Sequence, residues 1–87
     1  MHILIIGAAG MVGRKLTDKL VADGHLGGKE ISRYTLADVV AAEAPKGFDG
    51  PVETLTIDLS APEASQTLIA NRPDVIFHLA AIVSGEA

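Results

Sequence analysis

Three glycines stand at equal spacing near the start of the chain, in the segment "IIGAAGMVG". Gly7, Gly10 and Gly13 follow a short apolar run and precede a segment with helical periodicity. A chain that reverses sharply from a strand into a helix needs backbone angles that a Cβ obstructs. The N–H groups of the first helical turn and the positive end of the helix dipole favour a bound phosphate. The spacing therefore indicates an anion-binding turn.

Each glycine has its own expected role in such a turn. Gly7 would make the tight reversal, Gly10 would let the backbone approach a pyrophosphate, and Gly13 would let the helix pack closely on the strand. We expect Met11 and Val12, which begin the helix, to contribute to binding the same anion. The bare pattern is weak evidence, because 9 of the 87 residues are glycine. A purely structural turn is the alternative.

An acidic residue stands where a dinucleotide site needs one. Asp38 lies in "LADVV", at the end of the second strand-like run and 25 positions after Gly13. A carboxylate there can accept hydrogen bonds from the adenosine ribose hydroxyls. It would also repel the 2′-phosphate of NADP, so the cofactor predicted is NAD. The alternative is a solvated aspartate at the end of a strand.

Alternating apolar segments must position these residues. Four strands are predicted, at His2–Ile6, Tyr34–Val40, Val52–Ile57 and Val75–Leu79, with the first and fourth buried. Between the last two strands, the segment "SAPEASQTLIANRP" predicts a helix, because Ser60 and Glu63 have capping-box spacing. The segments "HLGGKEISR" and "AAEAPKGFDGP" are predicted to be irregular connections.

The first helix starts after Gly10. Val12, Leu16 and Leu20 recur every four residues and predict one stripe that faces the core, with Gly24 as the C-cap. The order of elements predicts an α/β fold with a parallel sheet and right-handed crossovers. The expected strand order is 3-2-1-4, the first half of a doubly wound, Rossmann-type fold.

Composition excludes several classes of function. The chain is 48% hydrophobic and 21% charged, which is typical of a globular domain. A net charge of −4 and 3% aromatic residues disfavour nucleic-acid binding. Cysteine is absent, which excludes disulfides and is compatible with the cytoplasm. Histidines at 2, 25 and 78 are too scattered for a metal cluster, and no apolar run is long enough for a membrane segment.

The residues quoted above resemble one family. "GAAGMVG" is similar to the cofactor loop of the extended short-chain dehydrogenase/reductases, which include the NAD-dependent sugar epimerases and dehydratases. Members often carry threonine before the first glycine, where this chain has Ile6. The connector "GHLGG" and the ending "HLAAIVSGEA" resemble more narrowly the sugar-acid dehydrogenases of this superfamily. The resemblance covers essentially residues 1–87, which we interpret as an N-terminal NAD-binding Rossmann portion without a second domain.

The resemblance assigns further cofactor contacts. Asp58 and Leu59 would hold the adenine, although Asp58 is equally typical of a turn leading into Ser60. The resemblance of "HLAA" to the family's loop also implies cofactor contacts by three of its residues: Leu79, Ala80 and Ala81. His78 is expected to be a core histidine on a strand rather than a catalytic group. Ser84 is either a cofactor or substrate contact or a loop residue.

Catalysis in the resembled family uses a Tyr-x-x-x-Lys pair for general acid–base chemistry. The single tyrosine is Tyr34, and the residue four positions later is Asp38. We therefore assign no catalytic residue and expect this chain alone to be inactive. If the chain is part of a longer enzyme, these 87 residues by themselves should expose the open edge of the fourth strand and an apolar face that later helices would cover.

Several functions remain compatible with the sequence. The leading prediction is NAD-dependent oxidation of a sugar acid by the whole protein. A nucleotide-sugar epimerase or dehydratase of the same superfamily is the nearest alternative. A non-catalytic NAD sensor and a plain structural α/β module are alternatives from other classes. For the whole protein we expect a small-molecule substrate, a homodimer, and no nucleic-acid or membrane partner.

Overall fold

The structure is a computed structural model that describes residues 1–58, 61, 63–70 and 72–79. It contains two helices and six strands in the described ranges. In chain order these are β1 (His2–Ile6), α1 (Met11–Asp23), β2 (His25–Leu26), β3 (Lys29–Glu30), β4 (Arg33–Asp38), β5 (Val52–Thr56), α2 (Ala64–Ala70) and β6 (Val75–His78). No helix in these ranges is both long and apolar enough to cross a membrane.

The main sheet is parallel and has the order β5-β4-β1-β6. Numbered by the four long strands alone, this is the predicted order 3-2-1-4, so the predicted Rossmann-type α/β topology is confirmed. β1 lies in the centre, and all five of its residues are buried, as predicted for a strand covered on both faces. Because the strands are parallel, their carboxyl ends meet at one edge of the sheet.

Strand alternation divides the core between the two faces of the sheet. On the face covered by α1, Ile3 and Ile5 pack with Tyr34 and Leu36 of β4 and with Leu20 of the helix. On the opposite face, the buried cluster comprises Leu4, Ile6, Ala37 and Leu68 of α2. α1 and α2 therefore cover opposite sides of β1.

The buried stripe of α1 differs from the predicted one. Leu20 is buried and Leu16 is half-buried, but Val12 is 65% exposed, so its predicted core position is wrong. The buried face runs instead through Gly13, Thr17 and Leu20. Close contact of Gly13 with the end of β1 sets this rotation, and the helix turns Val12 towards solvent. The helix ends as predicted, with Gly24 in the left-handed region at φ 73°.

The two predicted irregular connections behave differently. The segment from 41 to 51 has no helix or strand, as predicted. The connector "HLGGKEISR" contains the antiparallel hairpin β2–β3, which the sequence analysis missed. Gly27 and Gly28 both have positive φ, at 60° and 84°, which suits a two-residue hairpin loop. The strand predicted to reach Val40 ends at Asp38, and the strand predicted to reach Ile57 ends at Thr56.

β6 is less buried than predicted. Ile76 is 47% exposed and His78 is exposed, so the expectations of a fully buried strand and a core histidine are wrong. Within the described residues β6 has a neighbour only on the β1 side, which agrees with the open edge expected. Beside it, an apolar cleft of about 220 Å³ separates β6 from α2, where Ile69 is 61% exposed. Of the second predicted helix, residues 64–70 are helical, and Ser60 and Pro62 lie outside the described residues.

Candidate functional site at the carboxyl edge of the sheet

The predicted site residues converge on one edge. Gly7 follows β1, Asp38 ends β4, Asp58 lies two residues after β5, and Leu79 follows β6. The backbone joins these ends directly: the Leu79 N–H donates to the Ile6 carbonyl at 2.8 Å. Leu59, Ala80, Ala81 and Ser84 lie outside the described residues.

The glycine turn is held against the end of β4. Gly7 has φ 91°, a conformation that favours glycine, as predicted for the tight reversal. The N–H groups of Gly7 and Ala8 both donate to the Ala37 carbonyl, at 2.8 and 3.2 Å. The Gly10 N–H donates back to the Gly7 carbonyl at 3.3 Å. Two successive N–H groups of the turn are therefore hydrogen-bonded to β4.

Gly13 and Gly10 lack a side chain for different reasons. A Cβ on Gly13 would overlap the Gly7 carbonyl oxygen and lie 2.8 Å from the Cα of Ala8, so packing requires glycine. A Cβ on Gly10 would meet only the Gly7 oxygen, at an ordinary 3.5 Å. Gly10 also has φ −73°, which any residue adopts. The packing of the described residues gives no reason for glycine at position 10.

The first turn of α1 presents open donors. Arg14 makes the first intrahelical bond, from its N–H to the Gly10 carbonyl at 2.9 Å. No side chain caps this end, and the first turn carries no acidic residue. In the described part of the chain, no acceptor is bonded to the N–H groups of Met11, Val12 and Gly13. Met11 is 73% exposed, so ligands can reach this end of the helix.

Asp38 links the turn to β4. Its Oδ2 accepts a hydrogen bond from the Ala9 N–H at 2.9 Å, and its Oδ1 accepts one from the Val39 N–H at 2.6 Å. The side chain is half-buried at the sheet edge. A carboxylate has about four lone-pair positions, so these two bonds leave acceptor capacity for a ligand. Val39 is 57% exposed beside it.

Asp58 lies on the far side of Asp38 from the glycine turn. The Ile57 N–H donates to the Asp38 carbonyl at 2.9 Å, which brings the end of β5 beside the end of β4. The Asp58 carbonyl accepts a hydrogen bond from the Ala61 N–H at 3.0 Å. Asp58 is exposed, and its bond to Ala61 is compatible with the turn role that the sequence allowed. Its position at this edge is also compatible with the adenine role.

Two residues at this edge, Ala9 and Ala37, were not predicted from the sequence. Ala9 supplies the N–H that Asp38 accepts, and Ala37 supplies the carbonyl that accepts two successive N–H groups of the turn. Alanine carries no side-chain signal for such a contact, because the groups involved belong to the backbone. The aspartate itself signals only a local bond, such as the one from the Val39 N–H, because aspartate typically accepts from backbone N–H groups close to it in the sequence.

Other surfaces of the described part offer less specific chemistry. A groove of about 720 Å³ lies between α1 and residues 43–47 and reaches the glycine turn only through Ala8. It mixes charges of both signs, with Arg14 and Lys46 beside Asp18 and Glu43, and so selects no class of ligand. Among the described residues, no group of three or more His, Asp or Glu side chains could hold a metal ion.

Known proteins resemble this chain over its whole length. A D-erythronate dehydrogenase from Cupriavidus necator is 41% identical over 92 aligned positions, which cover 100% of this chain and 28% of that protein. The D-erythronate dehydrogenase of Haemophilus influenzae is 37% identical, with 100% and 26% covered. A UDP-glucose 4-epimerase from Mycolicibacterium smegmatis is 36% identical, with 97% and 26% covered.

A solved structure agrees with the fold. The crystal structure of the nucleoside-diphosphate-sugar epimerase from Agrobacterium tumefaciens matches with a TM-score of 0.89 and 64% identity, over 100% of this chain and 25% of that one. The chain thus spans about a quarter of the length of these relatives. Residues 3–87 match the family described as NAD dependent epimerase/dehydratase. The chain therefore belongs to the NAD-dependent epimerase/dehydratase family.

Proposed function

We propose that this chain is the N-terminal NAD-binding portion of an oxidoreductase that oxidises a sugar acid such as D-erythronate. The observation that carries the cofactor assignment is the open first turn of α1, with no bound acceptor at Met11, Val12 and Gly13 within the described residues. A pyrophosphate at this edge would accept hydrogen bonds from these N–H groups and lie at the positive end of the helix dipole.

Gly10 supports the same ligand position. Packing explains the glycine at position 13, but no contact within the described residues explains the one at position 10. A bound pyrophosphate would explain it, because a side chain at position 10 would project from the start of α1 into the space a phosphate needs. The residues present therefore fit a dinucleotide.

Asp38 supports NAD rather than NADP. Its two remaining acceptor positions match the two hydroxyls of the adenosine ribose. A 2′-phosphate near this carboxylate would cost on the order of 4 kcal/mol per charge pair at about 4 Å. Arg33 cannot offset that repulsion, because it lies at the opposite end of β4, about 17 Å away at 3.3 Å per residue. Arg33 is also paired with Glu53 at 3.3 Å.

The remaining cofactor contacts belong to the same proposal. Asp58 and Leu59 would hold the adenine, and Leu79, Ala80 and Ala81 would line the cofactor where it crosses the sheet edge. Bound NAD⁺ supplies the hydride acceptor for oxidation of an alcohol. The residues of this chain bind and orient that acceptor.

Proton transfer would fall to residues beyond this chain. Tyr34 is unsuited to it, because the side chain is fully buried and its ring packs edge-on against Phe48 at 4.7 Å. We propose that the 87 residues alone are inactive and bind NAD⁺ weakly, and that the whole protein is a cytoplasmic homodimer. Light scattering on the whole protein tests the oligomeric state.

The substrate assignment follows the relatives. Two D-erythronate dehydrogenases match at 41% and 37% identity, and the UDP-glucose 4-epimerase at 36%. The solved structure described as a nucleoside-diphosphate-sugar epimerase favours the second candidate, a nucleotide-sugar epimerase. The two activities differ in their redox balance. A dehydrogenase releases NADH, whereas an epimerase returns the hydride to the sugar and leaves no net NADH.

One assay separates these functions. The whole protein is incubated with NAD⁺ and D-erythronate, and in parallel with NAD⁺ and UDP-glucose. We expect stoichiometric NADH with D-erythronate and little reaction with NADP⁺. Formation of the 4-epimer of UDP-glucose without NADH would support the epimerase instead. NAD⁺ binding without turnover of either substrate would favour the sensor, and a protein that binds no NAD⁺ would favour the structural module.

A matched pair of variants ties the activity to the glycine turn. Gly10→Val should abolish NAD⁺ binding, because its side chain would project from the start of α1 where the pyrophosphate is proposed to bind. Val12→Ala changes an exposed side chain in the same turn and keeps the N–H, so NAD⁺ binding should stay near the wild-type level. Equal loss in both variants would contradict a pyrophosphate held by backbone groups.

A further inference from the structure

The glycine turn is held by the last two residues of β4. Three successive N–H groups of the turn donate to them: those of Gly7 and Ala8 to the Ala37 carbonyl, and that of Ala9 to the Asp38 carboxylate. The next residue of the turn, Gly10, donates back to Gly7 at 3.3 Å. Only the Ala9 contact in this series depends on a side chain.

We propose that Asp38 is a positioning residue for the phosphate site as well as a ribose ligand. Its carboxylate fixes the peptide of Ala9, and this peptide sets how the first turn of α1 presents its N–H groups. The proposal rests on the function proposed above, because it takes a dinucleotide as the ligand. It goes further by assigning Asp38 an effect on the pyrophosphate, a part of the ligand that its side chain does not touch.

Distances support this role. The Ala9 N–H to Asp38 Oδ2 bond, at 2.9 Å, is shorter than the flanking bonds of Ala8 and Gly10, at 3.2 and 3.3 Å. A bond to an ionised carboxylate is also stronger than one between neutral groups. The Val39 N–H holds the other oxygen at 2.6 Å, which fixes the orientation of the carboxylate. Loss of the Asp38 carboxylate would thus leave the Ala9 peptide, in the middle of the turn, without its hydrogen bond.

Two substitutions separate the two roles. Asp38→Ala removes both the ribose ligand and the acceptor for Ala9. Asp38→Asn keeps one oxygen that can accept from the Ala9 N–H, but its NH2 group replaces the oxygen that accepts from the Val39 N–H, and the charge and acceptor capacity for the ribose are lost. Positioning should therefore survive in the asparagine variant and fail in the alanine variant.

The ligand test compares NAD⁺ with its 2′,3′-dideoxyadenosine analogue, which lacks the hydroxyls that Asp38 would bind. Calorimetry on the whole protein measures both affinities. We expect Asp38→Ala to lower the affinity for NAD⁺ and also the affinity for the analogue, the latter by about tenfold. Asp38→Asn should lower the affinity for NAD⁺ but keep the affinity for the analogue within about threefold of the wild-type value.

A second readout needs no ligand. Hydrogen exchange of the Ala9 amide should accelerate by about tenfold or more in Asp38→Ala and stay near the wild-type rate in Asp38→Asn. Asp74→Ala is the matched control, because Asp74 Oδ2 accepts from the His2 N–H at 2.7 Å at the opposite end of β1. This control should accelerate exchange at His2 and leave Ala9 and both affinities unchanged.

The outcomes are distinguishable. Weaker binding of the analogue to Asp38→Ala, with faster exchange at Ala9, supports the positioning role. Unchanged analogue affinity or unchanged Ala9 exchange overturns it and leaves Asp38 as a ribose ligand only. If the wild-type protein binds neither ligand, the proposed function is wrong and the positioning role falls with it. If Asp38→Ala does not fold, Asp38→Asn decides through the exchange of the Ala9 amide. Loss of analogue binding with wild-type exchange at Ala9 overturns the proposal, whereas loss of analogue binding with faster exchange at Ala9 supports it.

Discussion

The two ends of the parallel sheet use similar contacts for different purposes. At the carboxyl edge, Asp38 accepts from the Ala9 N–H at 2.9 Å, and at the amino edge Asp74 accepts from the His2 N–H at 2.7 Å. At the amino edge the partners are reciprocal, since the Asp74 N–H also donates to the His2 carbonyl at 2.8 Å. At the carboxyl edge, the N–H groups in the first turn of α1, those of Met11, Val12 and Gly13, have no bound acceptor in the described residues.

Polar groups at the amino edge are paired with one another. The α-amino group of Met1 donates to the Glu30 carbonyl at 3.1 Å and to Ser32 Oγ at 2.9 Å. Buried His2 meets Thr35, with 2.6 Å between Nε2 and Oγ1. The polar groups of the amino edge therefore satisfy one another, while the carboxyl edge leaves donors and acceptors available for a ligand. Substitutions of the polar groups at the amino edge should therefore lower stability without changing NAD⁺ affinity.

The largest effect is expected where the carboxyl edge depends on packing. Gly13→Ala should lower the free energy of unfolding of the whole protein by about 3 kcal/mol, because the new Cβ overlaps backbone atoms of the turn. Urea denaturation measures the change. Gly10→Ala is the control, with an expected loss below about 1 kcal/mol, since its Cβ has room. Equal losses of unfolding free energy would show that a Cβ is no more crowded at position 13 than at position 10.

A smaller effect is expected within the amino half of the sheet. Thr35→Val preserves side-chain shape but removes the hydroxyl that contacts buried His2. The free energy of unfolding should fall by about 1.5 kcal/mol, with NAD⁺ affinity unchanged. Urea denaturation and calorimetry on the same preparation check both values. A selective loss of NAD⁺ binding would break the proposed separation of the two edges.

Asp74→Ala should have a milder effect on stability. Asp74 is exposed, so loss of its bond to the His2 N–H should cost about 1 kcal/mol. Thermal unfolding measures the cost. NAD⁺ affinity should match the wild type, whereas Asp38→Ala should lose affinity. Similar losses of NAD⁺ affinity in both variants would mean that the hydrogen bonds of Asp38 and Asp74 do not differ in function.

The smallest effect is expected at Tyr34. Its buried hydroxyl has no hydrogen-bond partner in the described structure, so Tyr34→Phe should leave stability unchanged or raise it by up to about 1 kcal/mol at neutral pH. Burial raises the pKa of the Tyr34 hydroxyl above its ordinary value of 10.0. Above pH 10 the unfolded chain loses this proton before the native protein does, so stability falls as the pH rises.

The phenylalanine variant should lose less stability above pH 10 than the wild type. Urea denaturation at neutral pH and at several alkaline pH values compares the two proteins. A marked loss of stability in Tyr34→Phe at neutral pH would show that the hydroxyl has a stabilising partner.

Sequence patterns predicted the strand order and the places of Gly7, Asp38 and Asp58 at or after the ends of strands, because apolar runs and glycine spacing report directly on buried strands and tight turns. They misplaced Val12, since helical periodicity cannot show that Gly13 sets the rotation of α1 against β1. They also missed the Ala9 contact with Asp38, which depends on how two strand ends meet in space. The hairpin around Gly27 was missed because its strands are only two residues long.

The dinucleotide site at the carboxyl edge is tested most directly by an NAD⁺ titration of the whole protein followed by amide chemical shifts. We expect the largest shifts at the open N–H groups of Met11, Val12 and Gly13, with changes at Val39 beside Asp38. Amides of the amino edge, such as His2, should hardly move. Shifts concentrated at the amino edge, or absent from the first turn of α1, would contradict a dinucleotide site at the carboxyl edge.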